Sequence, residues 1–180
     1  IEDIKNRFNI KSSLNVLDIG TGSGCILFSI LKEFKKFRGI GIDKSKKAIE
    51  IARYNSKILN IDKRLKLIHC DVDNYKFGKY DVIVSNPPYI CSHKIKYLSK
   101  DIKNFEPIEA LDGGLTGLKV IKKVITRAKK LLKIGGYFYI EIGIDQSRRV
   151  ELILIKNNFK VINRIKDYSK NIRCIISTRI

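Results

Sequence analysis

Two hydrophobic rhythms take turns along the 180 residues of this chain. Short, nearly continuous apolar runs at 14–19, 37–42, 65–69, 80–85 and 137–142 suit strands buried on both faces. Between them the apolar positions fall three and four apart, as on one side of a helix. Ile26, Ile30, Leu31 and Phe34 define such a side over 25–36. Ser45 can cap a second helix running to about residue 59. A third is predicted from about 115 to 132, stopped by the turn signal Gly135-Gly136, and a fourth from 145 to about 157. Residues 159–165 and 172–179 read as strands with no room for a helix between them. Strand–helix alternation means a parallel sheet with helices on both faces, and the closing pair must then be an antiparallel hairpin at one edge. The expectation is an α/β, doubly wound, mostly parallel seven-stranded sheet over 13–180. Ile1, Ile4 and Phe8 also have helical spacing, and residues 1–12 read as the tail of an upstream helical element. The chain opens on Ile and contains no Met, so it reads as part of something longer.

One connection is out of scale. Residues 85–115 separate a strand from a helix, where such loops usually take about two to six residues. The loop begins Ser85-Asn86-Pro87-Pro88-Tyr89-Ile90 and uses two of the chain's three prolines. Proline fixes φ and lacks an N–H, so the pair ends the strand and holds the next residues extended. That makes either a plain strand-ending turn or a stiff corner presenting Asn86 and Tyr89 to a cleft.

Composition narrows the field. With 44% hydrophobic and 31% charged residues the chain reads as globular, and it shows neither a membrane-length apolar run nor an N-terminal basic-then-apolar signal. Cys25, Cys70, Cys91 and Cys174, with His69 and His93, show no metal-ligand spacing and read as free thiols and imidazoles of a cytoplasmic protein. The net charge of +19 would ordinarily point to a polyanion. Here 27 of the 37 basic residues are lysines, and 32 isoleucines stand against four alanines, the usage of an AT-rich genome. The basic helix face around Lys122, Lys123, Arg127, Lys129, Lys130 and Lys133 therefore reads first as a solvated face.

The candidate chemistry starts at Asp18-Ile19-Gly20-Thr21-Gly22-Ser23-Gly24, between the first strand and the first helix. Glycines there let a ligand approach the main chain beside a helix N-terminus. The dinucleotide spacing Gly-x-Gly-x-x-Gly is absent, since Cys25 and Leu27 occupy the positions that would need glycine. Asp43, after Gly39-Ile40-Gly41-Ile42, can accept from both hydroxyls of a ribose, and Asp71 from an exocyclic amino group. Three acids at successive strand ends beside a glycine loop point to a nucleoside-containing cofactor. The loop has no Lys or Arg for phosphates, so a cationic sulfonium suits it better than a pyrophosphate.

These residues resemble a known family. Asp-Ile-Gly-Thr-Gly-Ser-Gly from Asp18, Gly-Ile-Asp ending at Asp43, Cys70-Asp71-Val72 and Asn-Pro-Pro-Tyr at 86–89 are similar to class I S-adenosylmethionine-dependent methyltransferases acting on planar amino groups. Phe105-Glu106-Pro107, Ala110 to Gly114, Gly117-Leu118, Glu141-Ile142-Gly143 with Gln146, and Asp167-Tyr168 through Arg173 resemble the release-factor glutamine methyltransferases among them. The resemblance implies a Rossmann-like class I methyltransferase fold, with S-adenosylmethionine as cofactor and a peptide-chain release factor as partner and substrate. Asp18, Gly20, Thr21, Gly22, Ser23 and Gly24 would cradle the methionine portion, Asp43 the ribose, and Asp71 with Val72 the adenine. Asn86, Pro87, Pro88 and Tyr89 would bind the glutamine, with Asn86 also touching the cofactor and Asn86, Pro87 and Tyr89 carrying the catalysis. Thr116 stands where the family usually has aspartate, and Val72 is smaller than its counterpart in some members. Two other readings stay open: an adenine-N6 methyltransferase on DNA or RNA, for which no target-reading region is visible, and a non-catalytic cofactor-binding module of a larger protein.

Overall fold

The computed structural model describes residues 1–9, 11–99, 101 and 107–180. The predicted motif Phe105-Glu106 thus lies outside the described residues. Strands β1 (Asn15–Ile19), β2 (Arg38–Asp43), β3 (Leu65–His69), β4 (Tyr80–Ser85), β5 (Leu132–Glu141), β6 (Phe159–Lys166) and β7 (Ile172–Arg179) form one sheet in the order β3-β2-β1-β4-β5-β7-β6. The first five run parallel; β7 is antiparallel to β5, and β6 to β7. The strand order reverses at β1, which has β2 on one side and β4 on the other. Ligands gather in the crevice outside such a switch point.

The helices are α1 (Glu2–Arg7), α2 (Cys25–Glu33), α3 (Lys46–Ile58), α4 (Ile108–Leu111), α5 (Lys119–Leu131) and α6 (Ser147–Lys156). Alternate strand residues face opposite layers. Leu17 and Ile83 join Ile121, Ile125 and Val150 under α5 and α6, while Val16, Val82 and Val84 join Leu27, Leu31 and Ala52 under α2 and α3. Ser45 caps α3 through the Ala48 N–H, as its position predicts. Ile4 of α1 is buried in the second layer, and Tyr139 Oη donates to Asp3 at 2.7 Å, so this first helix is docked on the sheet.

Two predicted boundaries shift, each for a packing reason. Helix α2 stops at Glu33 because Phe34 turns extended; Phe34 and Phe37 are both fully buried, with rings stacked 4.4 Å apart. Gly135-Gly136 does not end the third helix. Helix α5 has already finished at Leu131 and β5 begins at once. Leu132 pairs with Tyr80 and Tyr137 with Val82, leaving residues 133–136 opposite the single residue Asp81. The glycines serve this bulge, where Gly135 has φ +73°. Among the described residues, no helix is long and apolar enough to cross a membrane.

Candidate active site

The parallel register sets Gly20, Asp43, Asp71 and Asn86 at or just past the carboxyl ends of β1, β2, β3 and β4, along one edge of the sheet. The glycine loop is tied down by its own backbone: the Gly20 and Thr21 N–H groups both donate to Ile42 O, at 2.9 and 3.0 Å. Gly20 and Gly22 have φ of +75° and +56°, and a Cβ on either would meet nothing within 4 Å. The loop therefore needs glycine for its backbone conformation, and beside it lies open room. Gly24 leads into α2. Ser23 is exposed, its carbonyl accepting from Asn55 Nδ2 at 3.1 Å.

The acids differ in burial and in partners. Asp18 is buried at 1% exposure; its Oδ2 accepts from Thr21 Oγ1 at 2.8 Å, while Oδ1 has no hydrogen-bond partner among the described residues. Burial pushes its pKa up to about 7, opposed by the Thr21 bond and assisted by the charge of Asp43. Asp43 receives the Gly22 N–H on one oxygen (2.9 Å) and the Ser45 N–H on the other (2.8 Å), each leaving a lone pair to spare. It thus joins the glycine loop to the start of α3. Asp71 closes a small turn through the Asp73 N–H at 2.8 Å, and Val72 packs partly buried against the main core. A buried carboxyl oxygen unpartnered among the described residues, open space over glycines and two partly free carboxylates fit a cofactor that is cationic and carries a nucleoside.

At the end of β4, Ser85 Oγ donates to Ile19 O at 2.7 Å and locks the corner to β1. Asn86 is exposed, and its amide has no hydrogen-bond partner among the described residues; Pro87 is buried, and Pro88 and Tyr89 are half-buried. The long loop is anchored. Ile90 bridges to Asp112, whose Oδ1 accepts from Ser92 Oγ (2.7 Å) and the Gly114 N–H (2.8 Å), bonds that lower its pKa. The nearly buried Gln146 side chain donates to the carbonyls of Tyr89 (2.9 Å) and Gly117 (3.3 Å) and accepts from the Gly143 N–H (2.9 Å). A Cβ on Gly117 would stand 2.4 Å from Tyr89 O, so this contact admits only glycine.

Residues 10–160 match the family described as "Methyltransferase domain". The chain belongs to that family. The release factor glutamine methyltransferase of Thermodesulfovibrio yellowstonii is 37% identical over 169 residues, which are 93% of this chain and 61% of that protein. That of Fusobacterium nucleatum is 41% identical over 167 residues, 92% of this chain and 47% of the relative. The chain therefore spans about half to three-fifths of the length of these relatives. The magnesium protoporphyrin IX methyltransferase of Synechocystis, solved with bound S-adenosylmethionine, superposes with a TM-score of 0.68 at 15% identity, covering 99% of this chain and 76% of that one. At that identity the likeness is one of fold.

The structure of this methyltransferase domain brings in three side chains to which sequence reasoning gave no role. Glu141 ends β5 and obeys the strand-end logic that picked out Asp43 and Asp71, so that signal was available. Gln146 was visible only as part of a motif. Arg173 likewise stood only at the end of a motif, and its approach to Tyr89 was not legible there, because it spans 84 residues and depends on β7 pairing with β5.

Proposed function

We propose that this chain is the catalytic domain of an S-adenosylmethionine-dependent methyltransferase that modifies the side-chain amide nitrogen of a glutamine in a peptide-chain release factor, in the cytoplasm. The observation that carries the reading is Asn86: an exposed amide without a partner among the described residues, held beside buried Pro87 at the switch point, one strand from the glycine loop. The names of the two release-factor relatives supply the substrate class, and the four free thiols suit a reducing compartment.

S-adenosylmethionine would supply an electrophilic methyl group on a sulfonium, leaving S-adenosylhomocysteine. The residues fitted to hold it are Asp18 and Gly20 to Gly24 for its amino-acid end, Asp43 for the ribose, and Asp71 with Val72 for the adenine. The task of the corner is the acceptor. An amide nitrogen is a poor nucleophile because its lone pair is delocalised into the carbonyl. The Asn86 side-chain oxygen and the Pro87 carbonyl accept its two N–H bonds and hold the lone pair in line for attack. Proline fixes where that carbonyl points, and Tyr89 packs against the flat amide. Alignment and hydrogen bonds that strengthen as the nitrogen pyramidalises then carry the rate. No general base is needed, because the nitrogen becomes strongly acidic once methylated and loses its proton afterwards.

The test uses the full-length protein with labelled S-adenosylmethionine and a release factor, or nucleic acid in parallel. Asn86→Ala should lower kcat by about 10²–10³, the usual effect of losing one preorganised hydrogen bond. Cofactor affinity should fall much less than kcat, although Asn86 would also touch the cofactor, and thermal stability should change little, since the side chain is exposed. Turnover within a few-fold of the parent would reduce Asn86 to a strand-end residue, and methyl transfer to nucleic acid instead would replace the substrate.

A further inference from the structure

Tyr89 is held from three directions by residues remote in sequence. Its hydroxyl receives Arg173 Nη2 at 2.7 Å and donates to Glu141 Oε1 at 3.2 Å. The guanidinium lies 5.4 Å from the ring centroid, within cation–π range. The ring edge packs on bare backbone, where a Cβ on Gly143 would come within 3.1 Å of Tyr89 Cδ2. Gln146 fixes the Tyr89 carbonyl. The first two anchors are set by sheet register: Glu141 pairs with Cys174, and the Ile142 N–H donates to Arg173 O at 2.9 Å. The Arg173–Glu141 ion pair itself is long, at 3.4 Å, and its side chains are 28% and 33% exposed. A pair of that kind contributes little to stability. A half-buried phenol needs only one partner to be satisfied, yet this one has two charged ones.

We infer that Arg173, delivered by the C-terminal hairpin and braced by Glu141, is a positioning residue for methyl transfer that acts by fixing the orientation of the Tyr89 ring in the acceptor corner. The inference rests on the proposed role of that corner in binding a planar amide. A flat acceptor between the ring and the Asn86 and Pro87 oxygens is aligned only if the ring cannot swing. Nothing in residues 86–90 alone prevents that, because they belong to no regular element beyond one bridge at Ile90. The hairpin after β5 therefore completes the site rather than only closing the sheet.

The experiment compares Arg173→Ala, Arg173→Lys, Tyr89→Phe and the Arg173→Ala/Tyr89→Phe double variant in the full-length protein. Arg173→Ala should lower kcat by about tenfold to a hundredfold, the scale of a misaligned reactant, while S-adenosylmethionine affinity and the melting temperature stay near the parent's. Arg173→Lys should recover most of the loss, since a single nitrogen makes both contacts. In the Tyr89→Phe background Arg173→Ala should cost no more than a few-fold, because the hydroxyl that Arg173 holds at 2.7 Å is gone. The Tyr89 ring signal in ¹³C-tyrosine-labelled protein should move in Arg173→Ala with no acceptor present. That last readout separates the two ideas: a parent enzyme inactive on release-factor glutamine removes the substrate assignment, while the ring signal still decides whether Arg173 positions Tyr89. Parent-like kcat in Arg173→Ala, an equal loss in both backgrounds, or an unmoved Tyr89 signal would each overturn the inference.

Discussion

The glycine loop rests on two acidic side chains, Asp18 and Asp43. Asp18 is buried with a pKa of about 7, far above its unfolded value of about 4, so folding favours its protonated form. Its contribution to stability is complete below about pH 4 and is lost progressively as pH rises towards 7, at about 1.4 kcal/mol per pH unit. Asp18→Asn cannot ionise and should escape that loss. The melting temperature of the variant minus that of the parent should therefore increase from pH 5 to pH 7 in ligand-free protein. A difference independent of pH would mean that Asp18 ionises normally in the fold. Asp43 has a structural duty as well as its proposed one, because it receives the Gly22 and Ser45 N–H groups. Asp43→Ala should weaken S-adenosylmethionine binding by roughly 2–4 kcal/mol through lost charge-assisted bonds and a loosened loop. Unchanged affinity by calorimetry would take Asp43 out of the cofactor site.

At the level of elements, two glycines with the same backbone requirement should respond differently to substitution. Gly135 lies in the β5 bulge with φ +73°, and a Cβ there meets nothing within 4 Å. Gly135→Ala should cost about 1–2 kcal/mol in urea unfolding, the strain of a left-handed conformation, and leave kcat alone. Gly117 has φ +70°, but its Cβ would press on the Tyr89 carbonyl and the Gln146 amide. Gly117→Ala should therefore cost more than Gly135→Ala, and it should also slow methyl transfer by displacing the corner. Equal effects of the two substitutions would mean that the long loop does not hold the corner in place. The difference comes from where each glycine sits: one at the far end of β5, the other where the long loop folds back onto the site.

Across the whole molecule the net charge is +19, but several cations on and beside the face where it looked most concentrated are held in local contacts. Lys123 pairs with Asp73, Arg127 with the Asp73 carbonyl, Lys133 with Asp81, and Lys79 with the Lys130 carbonyl. Two of the six basic side chains on that face, Lys123 and Lys133, are thus paired with carboxylates. Affinity for duplex DNA or tRNA at physiological salt should stay in the non-specific range, with Kd on the order of 10⁻⁴–10⁻⁶ M. Sub-micromolar, sequence-selective binding in a titration at that salt would promote a nucleic-acid substrate over a protein one.

The alternation of periods by itself determined the class of sheet, the strand-end positions of Asp43, Asp71 and Asn86, and the glycine loop, because each is a local pattern read over a few residues. The pairing of β7 between β5 and β6, and with it the arrival of Arg173 at Tyr89, was decided only in three dimensions. Contacts 52 and 84 residues apart leave no period in the chain, and the motif that Arg173 closes does not say which side chain it will meet. The role of Gly135-Gly136 was likewise tertiary. Two glycines after a helical stretch signal a stop in any sequence, but here Leu132 had already left the helix to fill the core, and the glycines were needed for a bulge facing Asp81. Local spacing fixes what conformation a residue can adopt. Which partner it meets there depends on burial, and burial belongs to the whole chain.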